Sequence, residues 1–308
     1  MAITAAMVKE LREKSGAGMM DCKKALVATE GNMEKAIDYL RENGMVKAAK
    51  KADRIAAEGI SYGLVSEDGK CAVAVEVNSE TDFVAKNEKF QNFVKDVAAQ
   101  VLATDAADVE SLLDTAMGEG TLRERLTSEI ATIGENLKVR RFARMTEENG
   151  FITSYIHMGG KIVVLVDVAT DVINDNICEM AKNVAMQAAA MRPQFCSRSE
   201  VDQEYLEKEK EILFAAAKNE KPNAPDKVIN GIVMGRLNKE LAENVLLDQV
   251  YVKAEDGKQT VQKYVDQVAK ANGAKIAIKG YVRFETGEGI EKKQEDFAAE
   301  VAAQMHKG

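Results

Sequence analysis

The chain has 308 residues, 46% hydrophobic and 30% charged, enough for two or three cored domains and too apolar for a disordered chain. Fifty Asp and Glu against 42 Lys and Arg leave a formal charge of −8, which argues against a nucleic-acid grip built on phosphate neutralisation. Apolar runs such as Ile162–Val166 are far too short to span a bilayer, and Met1-Ala2-Ile3-Thr4 has neither signal- nor transit-peptide layout, so the cytoplasm is the expected compartment.

Residues 1–54 read as a three-helix module. Thr4 caps a first helix carrying Val8 and Leu11, which stops at Ser15-Gly16-Ala17-Gly18. A second runs from Met19 to about Thr29, and Met33, Ala36, Ile37 and Leu40 stripe a third that should end before Gly44. The module is mildly basic, with eleven Lys and Arg against eight Asp and Glu, and Lys47–Ala52 reads as a solvated, charged linker.

Strands follow at Ile60–Val65 and Cys71–Asn78 around a turn with Gly69, then a helix from Asn87 with Phe90, Phe93, Val94 and Val97 on one face. Helical stretches at about Asp108–Met117 and Leu122–Ile133 lead to a strand at Leu137–Met145. The pattern then repeats at an offset of 91: Gly59 matches Gly150, Gly69-Lys70 matches Gly160-Lys161, and Val73, Val75 and Val77 match Val164, Val166 and Val168. Glu76 falls on Asp167, Ser79 on Thr170 and Glu80 on Asp171, while Leu137–Arg144 resembles Ile276–Arg283. The second copy is interrupted by two helices, Glu200 to about Asn219 and about Asp226 to Asn244, broken at Lys221-Pro222-Asn223-Ala224-Pro225. A strand-like Gln249–Lys253, a helix at Val261–Ala271, a strand at Ile276–Phe284 and an amphipathic helix at Lys292–Met305 complete the chain. The expected fold is therefore α+β, with domains at 1–54 (helical module), 55–146 (first core unit), 147–199 plus 245–285 (second core unit), 200–244 (inserted helical hairpin) and 286–308 (C-terminal helical module).

Catalytic material is sparse. Cys22, Cys71, Cys178 and Cys196 are scattered, His157 and His306 are the only histidines, and no phosphate-cradling glycine loop occurs; zinc and Cys/His or Ser/His catalysis have little to draw on. One stretch stands apart: Glu76–Asn87 leaves a strand, turns through Ser79-Glu80-Thr81-Asp82-Phe83-Val84 and enters a helix. Phe83 either packs back onto its own sheet or serves as a wedge for another protein. The repeat favours the wedge, because the second copy has Val172-Ile173-Asn174 opposite Thr81-Asp82-Phe83. A thiol- or histidine-dependent enzyme and a helical adaptor using residues 1–54 are the competing classes.

Val8-Lys9-Glu10-Leu11-Arg12, Ser15-Gly16-Ala17-Gly18-Met19-Met20-Asp21-Cys22-Lys23-Lys24-Ala25-Leu26 and Thr81-Asp82-Phe83-Val84-Ala85-Lys86-Asn87 resemble the elongation factor Ts family. So do Ile133-Gly134-Glu135-Asn136, Ser154-Tyr155-Ile156-His157 and Arg283–Lys292, in the same order along the whole chain. The resemblance implies a ubiquitin-associated-like (UBA-like) N-terminal module and a coiled-coil-like dimerisation hairpin, hence a possible homodimer. It implies a guanine-nucleotide exchange factor for elongation factor Tu, with no enzymatic activity and no cofactor of its own. Thr81, Asp82, Phe83 and Val84 would form a wedge that disturbs the Mg²⁺ and phosphate site holding GDP on Tu. Arg12, Met19, Met20, Ile133 and Gly134 would contact the GTPase domain of Tu, and His157 its third domain.

Overall fold

The computed structural model describes residues 3–291; the helix expected at Lys292–Met305 lies outside them. The chain divides into two compact units, one made of residues up to Ser61, Val75–Phe142 and the segment from Glu285, the other of Tyr62–Ala74 and Ala143–Phe284. The architecture is the expected α+β one, with small antiparallel sheets among helices.

The first unit begins with α1 (Ala5–Ser15), α2 (Met19–Ala28) and α3 (Met33–Ala49). Thr4 Oγ1 accepts from Met7 N, and Gly16, at φ +66, closes α1 by donating its N–H to Arg12 O. Val8, Leu11, Cys22, Ala25, Leu26 and Ala36 form the shared core. Helix α3 does not stop before Gly44 as expected but runs on to Ala49. Gly44 is buried, and a Cβ built there would sit 3.8 Å from both Ala131 Cβ and Thr127 Cγ2, so packing overrides the local helix-breaking signal. Lys47 is likewise a helical residue paired with Asp21 at 2.8 Å, so the linker starts later than the sequence suggests.

Next come β1 (Glu58–Val65), β2 (Cys71–Ser79), α4 (Asp82–Ala85), α5 (Glu88–Ala103), α6 (Val109–Leu113), β3 (Ala116–Met117), β4 (Gly120–Thr121), α7 (Leu122–Ile133) and β5 (Lys138–Thr146). The sheet order is β1-β2-β5, with β3 and β4 a separate two-stranded hairpin. The helix expected over Asp108–Met117 ends at Leu113, because Met117 pairs with Gly120 across that hairpin. Helix α7 has the expected bounds: Thr121 and Glu124 make a capping box, and Gly134 closes it at φ +89. Helix α5 buries Phe90, Phe93, Val94, Val97, Ala98 and Val101, and truncating either aromatic to Ala costs about 3–5 kcal/mol.

The second unit repeats the plan. Strands β6 (Gly150–His157) and β7 (Ile162–Thr170) pair antiparallel from Gly150↔Ala169 to His157↔Ile162, α8 (Asp175–Met191) packs on them, and β8 (Ile276–Glu285) completes the order β6-β7-β8. Between α8 and β8, a 3₁₀ turn at Arg198–Glu200 precedes α9 (Gln203–Glu220), α10 (Asp226–Asn244) and α11 (Val261–Asn272). Helices α9 and α10 zip together through Ala217, Ile229 and Val233, then through Leu237, Leu241 and Val245 nearer the base. The segment Gln249–Lys253 is not a strand: it makes an isolated bridge from Val250 to Thr260, and Gln187 reaches Gln249 Oε1 and Val250 O instead.

Gly59 and Gly150 show why the repeat keeps glycine there. A Cβ at Gly59 would lie 2.2 Å from Val77 O, and one at Gly150 would lie 1.9 Å from Val168 O. Each glycine lets its strand approach the equivalent carbonyl of the neighbouring strand.

Candidate functional site

Strand β2 is buried along almost its whole length, so the chain leaves it at Ser79 from a rigid base. Thr81 stays extended (φ −125, ψ 156) and its side chain accepts from Val84 N, which starts the single turn of α4. The sequence pattern runs the segment directly into a helix; instead α4 is its own element, and Asn87 starts α5 by accepting from Lys89 N at 2.9 Å.

This turn decides where Phe83 goes. Its side chain is 79% exposed, so the packing-back alternative is excluded. Asp82 is half-buried and takes a 2.7 Å hydrogen bond from Lys86 Nζ, one helical turn on, and the same ammonium lies 5.8 Å from the Phe83 ring centroid. Val84 faces inward at 8% exposure and anchors the turn from below. Of the four residues expected to meet a partner, Phe83 is the outward one and Val84 the fastening.

Two glutamates whose role the sequence pattern did not reveal hold this arrangement. Glu135, just past the Gly134 cap of α7, accepts from Glu80 N (3.1 Å), Thr81 N (3.0 Å) and Thr81 Oγ1 (2.6 Å). Glu80 itself reaches back to Asn136. Ile133 is half-buried at the end of α7 and Gly134 exposed, so the Ile133-Gly134 turn and the Asp82-Phe83 turn are brought to one place by Glu135. The only signal for this in the sequence is that Glu135-Asn136 belongs to one of the motifs that carry the resemblance.

Arg12 is exposed on α1, and Met19 and Met20 are exposed at 58% and 64% on the first turn of α2, two large apolar side chains facing water. A Cβ at Gly16 would lie 3.8 Å from Lys89 Nζ of α5, and Lys89 also sits 3.4 Å from the buried carboxylate of Glu129, so the turn that presents the two methionines lies against α5. His157 belongs to the second unit, at the end of β6, where its Nδ1 is 2.9 Å from Tyr155 Oη, beside exposed Ile156 and Met158. Two residues of the Arg283–Lys292 motif act as fastenings: Thr286 Oγ1 and Ser61 Oγ are 2.8 Å apart, and Gly287 N donates to buried Glu76.

Burial pushes the Cys196 thiol up to about 12, which keeps it protonated, and among the described residues no group of three His, Cys, Asp or Glu side chains is arranged to hold a metal ion. No helix among them is long and apolar enough to cross a membrane.

Fold and site thus define an α+β protein with an internally repeated sheet unit and a capped, outward-facing Asp-Phe turn. Residues 80–288 match the family described as Elongation factor TS. The chain is 54% identical over 304 residues to Elongation factor Ts of Clostridioides difficile (strain 630), covering 98% of this chain and 99% of that one. It is 49% identical over 307 residues to Elongation factor Ts of Clostridium novyi (strain NT), covering 99% of both. It is 50% identical over 306 residues to Elongation factor Ts of Clostridium botulinum (strain Eklund 17B / Type B), covering 99% of this chain and 100% of that one. The chain belongs to the elongation factor Ts family, a family of translation elongation factors.

Proposed function

We propose that this protein is the guanine-nucleotide exchange factor for elongation factor Tu: it binds Tu·GDP, disturbs the groups that hold Mg²⁺ and the β-phosphate, and so releases GDP. The observation that carries the reading is Phe83, 79% exposed on a turn that is capped and clamped from both sides. An aromatic ring held in water on a rigid base is an anchor waiting for a pocket. The physics is linkage: a factor that prefers nucleotide-free Tu over Tu·GDP weakens GDP binding by the same ratio. Mg²⁺ and the phosphate cradle supply much of a nucleotide's affinity, so a wedge beside them acts on a large term.

In this reading the protein is a binding partner in the cytoplasm rather than an enzyme, with no cofactor of its own, and Mg²⁺ and GDP belong to Tu. Arg12, Met19, Met20, Ile133 and Gly134 dock on the GTPase domain, and His157 with its exposed neighbours Ile156 and Met158 docks on the third domain. Self-association, where it occurs, uses α9 and α10, whose outer faces expose Ile212, Val228 and Met234. The test is release of a fluorescent GDP analogue from purified Tu: the wild-type protein accelerates it, and no acceleration ends the proposal.

A further inference from the structure

A single helical turn is unstable on its own, because forming it fixes several dihedrals for one hydrogen bond. Helix α4, which carries Phe83, is such a turn, and its support comes from outside. Glu135 caps the backbone of Glu80 and Thr81, and in return Glu80 Oε1 accepts from Asn136 N at 2.6 Å. The β2–α4 and α7–β5 junctions thus each lend a glutamate to the other's backbone. Because the Thr81 hydroxyl proton goes to Glu135, its lone pairs are left to face Val84 N, 3.5 Å away, so Glu135 also fixes the cap of α4. The chain leaving α3 joins the same knot: Asn136 Nδ2 donates to Ala52 O (3.3 Å) and Arg54 O (2.8 Å), and Arg54 NH1 is 3.4 Å from Glu80 Oε1.

We propose that the reciprocal pair Glu80–Glu135 is the positioning device of the exchange wedge, holding Asp82 and Phe83 in docking geometry before Tu arrives and tying them to the tether of the three-helix module. The inference rests on the exchange reading above. A disordered wedge must be ordered during nucleotide displacement, so the pair's contribution falls on the displacement step and not on the first encounter, which the other docking residues still make.

The test uses full-length Glu135→Ala and Glu135→Gln beside wild type. In the free protein, amide hydrogen exchange over residues 80–85 should rise about tenfold or more in Glu135→Ala, with β2 and α5 unchanged, and less in Glu135→Gln, which keeps one acceptor oxygen for Thr81. In GDP release from Tu, the maximal rate should fall about tenfold while the half-saturating concentration moves less than about threefold. Unchanged amide exchange over 80–85 overturns the clamp. Raised exchange there with a wild-type maximal rate overturns its positioning role. If Glu135→Ala does not fold, Glu135→Gln and Thr81→Val carry both readouts. Wild-type protein that fails to speed release brings down the exchange reading itself, and amide exchange still decides the clamp.

Discussion

Glu76 and Asp167 occupy the same position in the two copies of the repeat, yet their surroundings push their acidities in opposite directions. Glu76 is fully buried; desolvation alone would raise its pKa, but Gly287 N at 2.8 Å, Arg140 at 2.9 Å, Arg141 at 2.6 Å and Asn78 at 3.1 Å together hold it below the usual carboxylate range. Asp167 has no such cradle: the residues matching Arg140 and Arg141 in the third strand are Lys279 and Gly280. Burial, then a hydrogen bond to Glu147 and that carboxylate's charge, push Asp167 up to about 7, with Lys279 opposing.

That difference makes a signed pH prediction. A raised folded-state pKa stabilises the fold below the ordinary value of 3.8, and the contribution is lost as pH rises through about 7. Asp167→Asn keeps a donor toward Glu147 and cannot ionise. Relative to wild type, its melting temperature, measured by circular dichroism, should rise as pH increases from below 3.8 to about 7 and then level off toward pH 8. A difference that does not change with pH would show that Asp167 does not titrate in this range.

The two repeat glycines should fail in parallel. Gly59→Ala and Gly150→Ala each place a methyl about 2 Å from a backbone carbonyl that cannot move aside without shifting a strand. Each should cost about 1–3 kcal/mol in urea unfolding, the range of overpacking substitutions. Gly231→Ala, where a Cβ would meet nothing within 4 Å, should be neutral or stabilising and serves as the control.

What was legible follows from how local the signal is. The bounds of α7 and α10 were readable because Thr121, Glu124, Gly134 and Pro225 act within one turn of the ends they set. The sheet units were readable because each strand exists twice, so Val73, Val75 and Val77 are confirmed by Val164, Val166 and Val168. Gly44 misled because its helix-ending propensity is local, whereas the neighbours that override it, Thr127 and Ala131, lie far along the chain on α7. At the site, Phe83 stood out as a departure between copies, but Glu135 did not. Its partners lie 54 and 55 residues away, and a lone Glu after a helix-capping Gly carries no mark of what it holds.

The inserted hairpin should be separable from the rest. Its base is closed by Gln194 N to Asn244 O at 2.8 Å and Leu246 N to Phe195 O at 2.8 Å, which bring the two ends of the insertion together. Replacing residues 200–244 with a short Gly-Ser linker should leave the core of the second unit folded and GDP release intact, while any dimer seen by sedimentation is lost. A core that melts early would show that α9 and α10 support it.

The wedge prediction separates binding from folding. Phe83 is 79% exposed, so Phe83→Ala removes little buried surface and the melting temperature should stay within about 1 °C of wild type. Catalysed GDP release should nonetheless slow by roughly tenfold or more, since losing an aromatic anchor from a docked pocket costs about 2 kcal/mol. Asp82→Ala tests the acid separately: it breaks an exposed ion pair with Lys86, worth at most about 1 kcal/mol to the fold. If the two residues act on one target, the double variant should lose less than the sum of the single losses, because neighbours that share a partner are not additive. Full additivity would mean that the ring and the carboxylate meet separate groups on Tu, and unchanged release in Phe83→Ala would remove the ring from the mechanism.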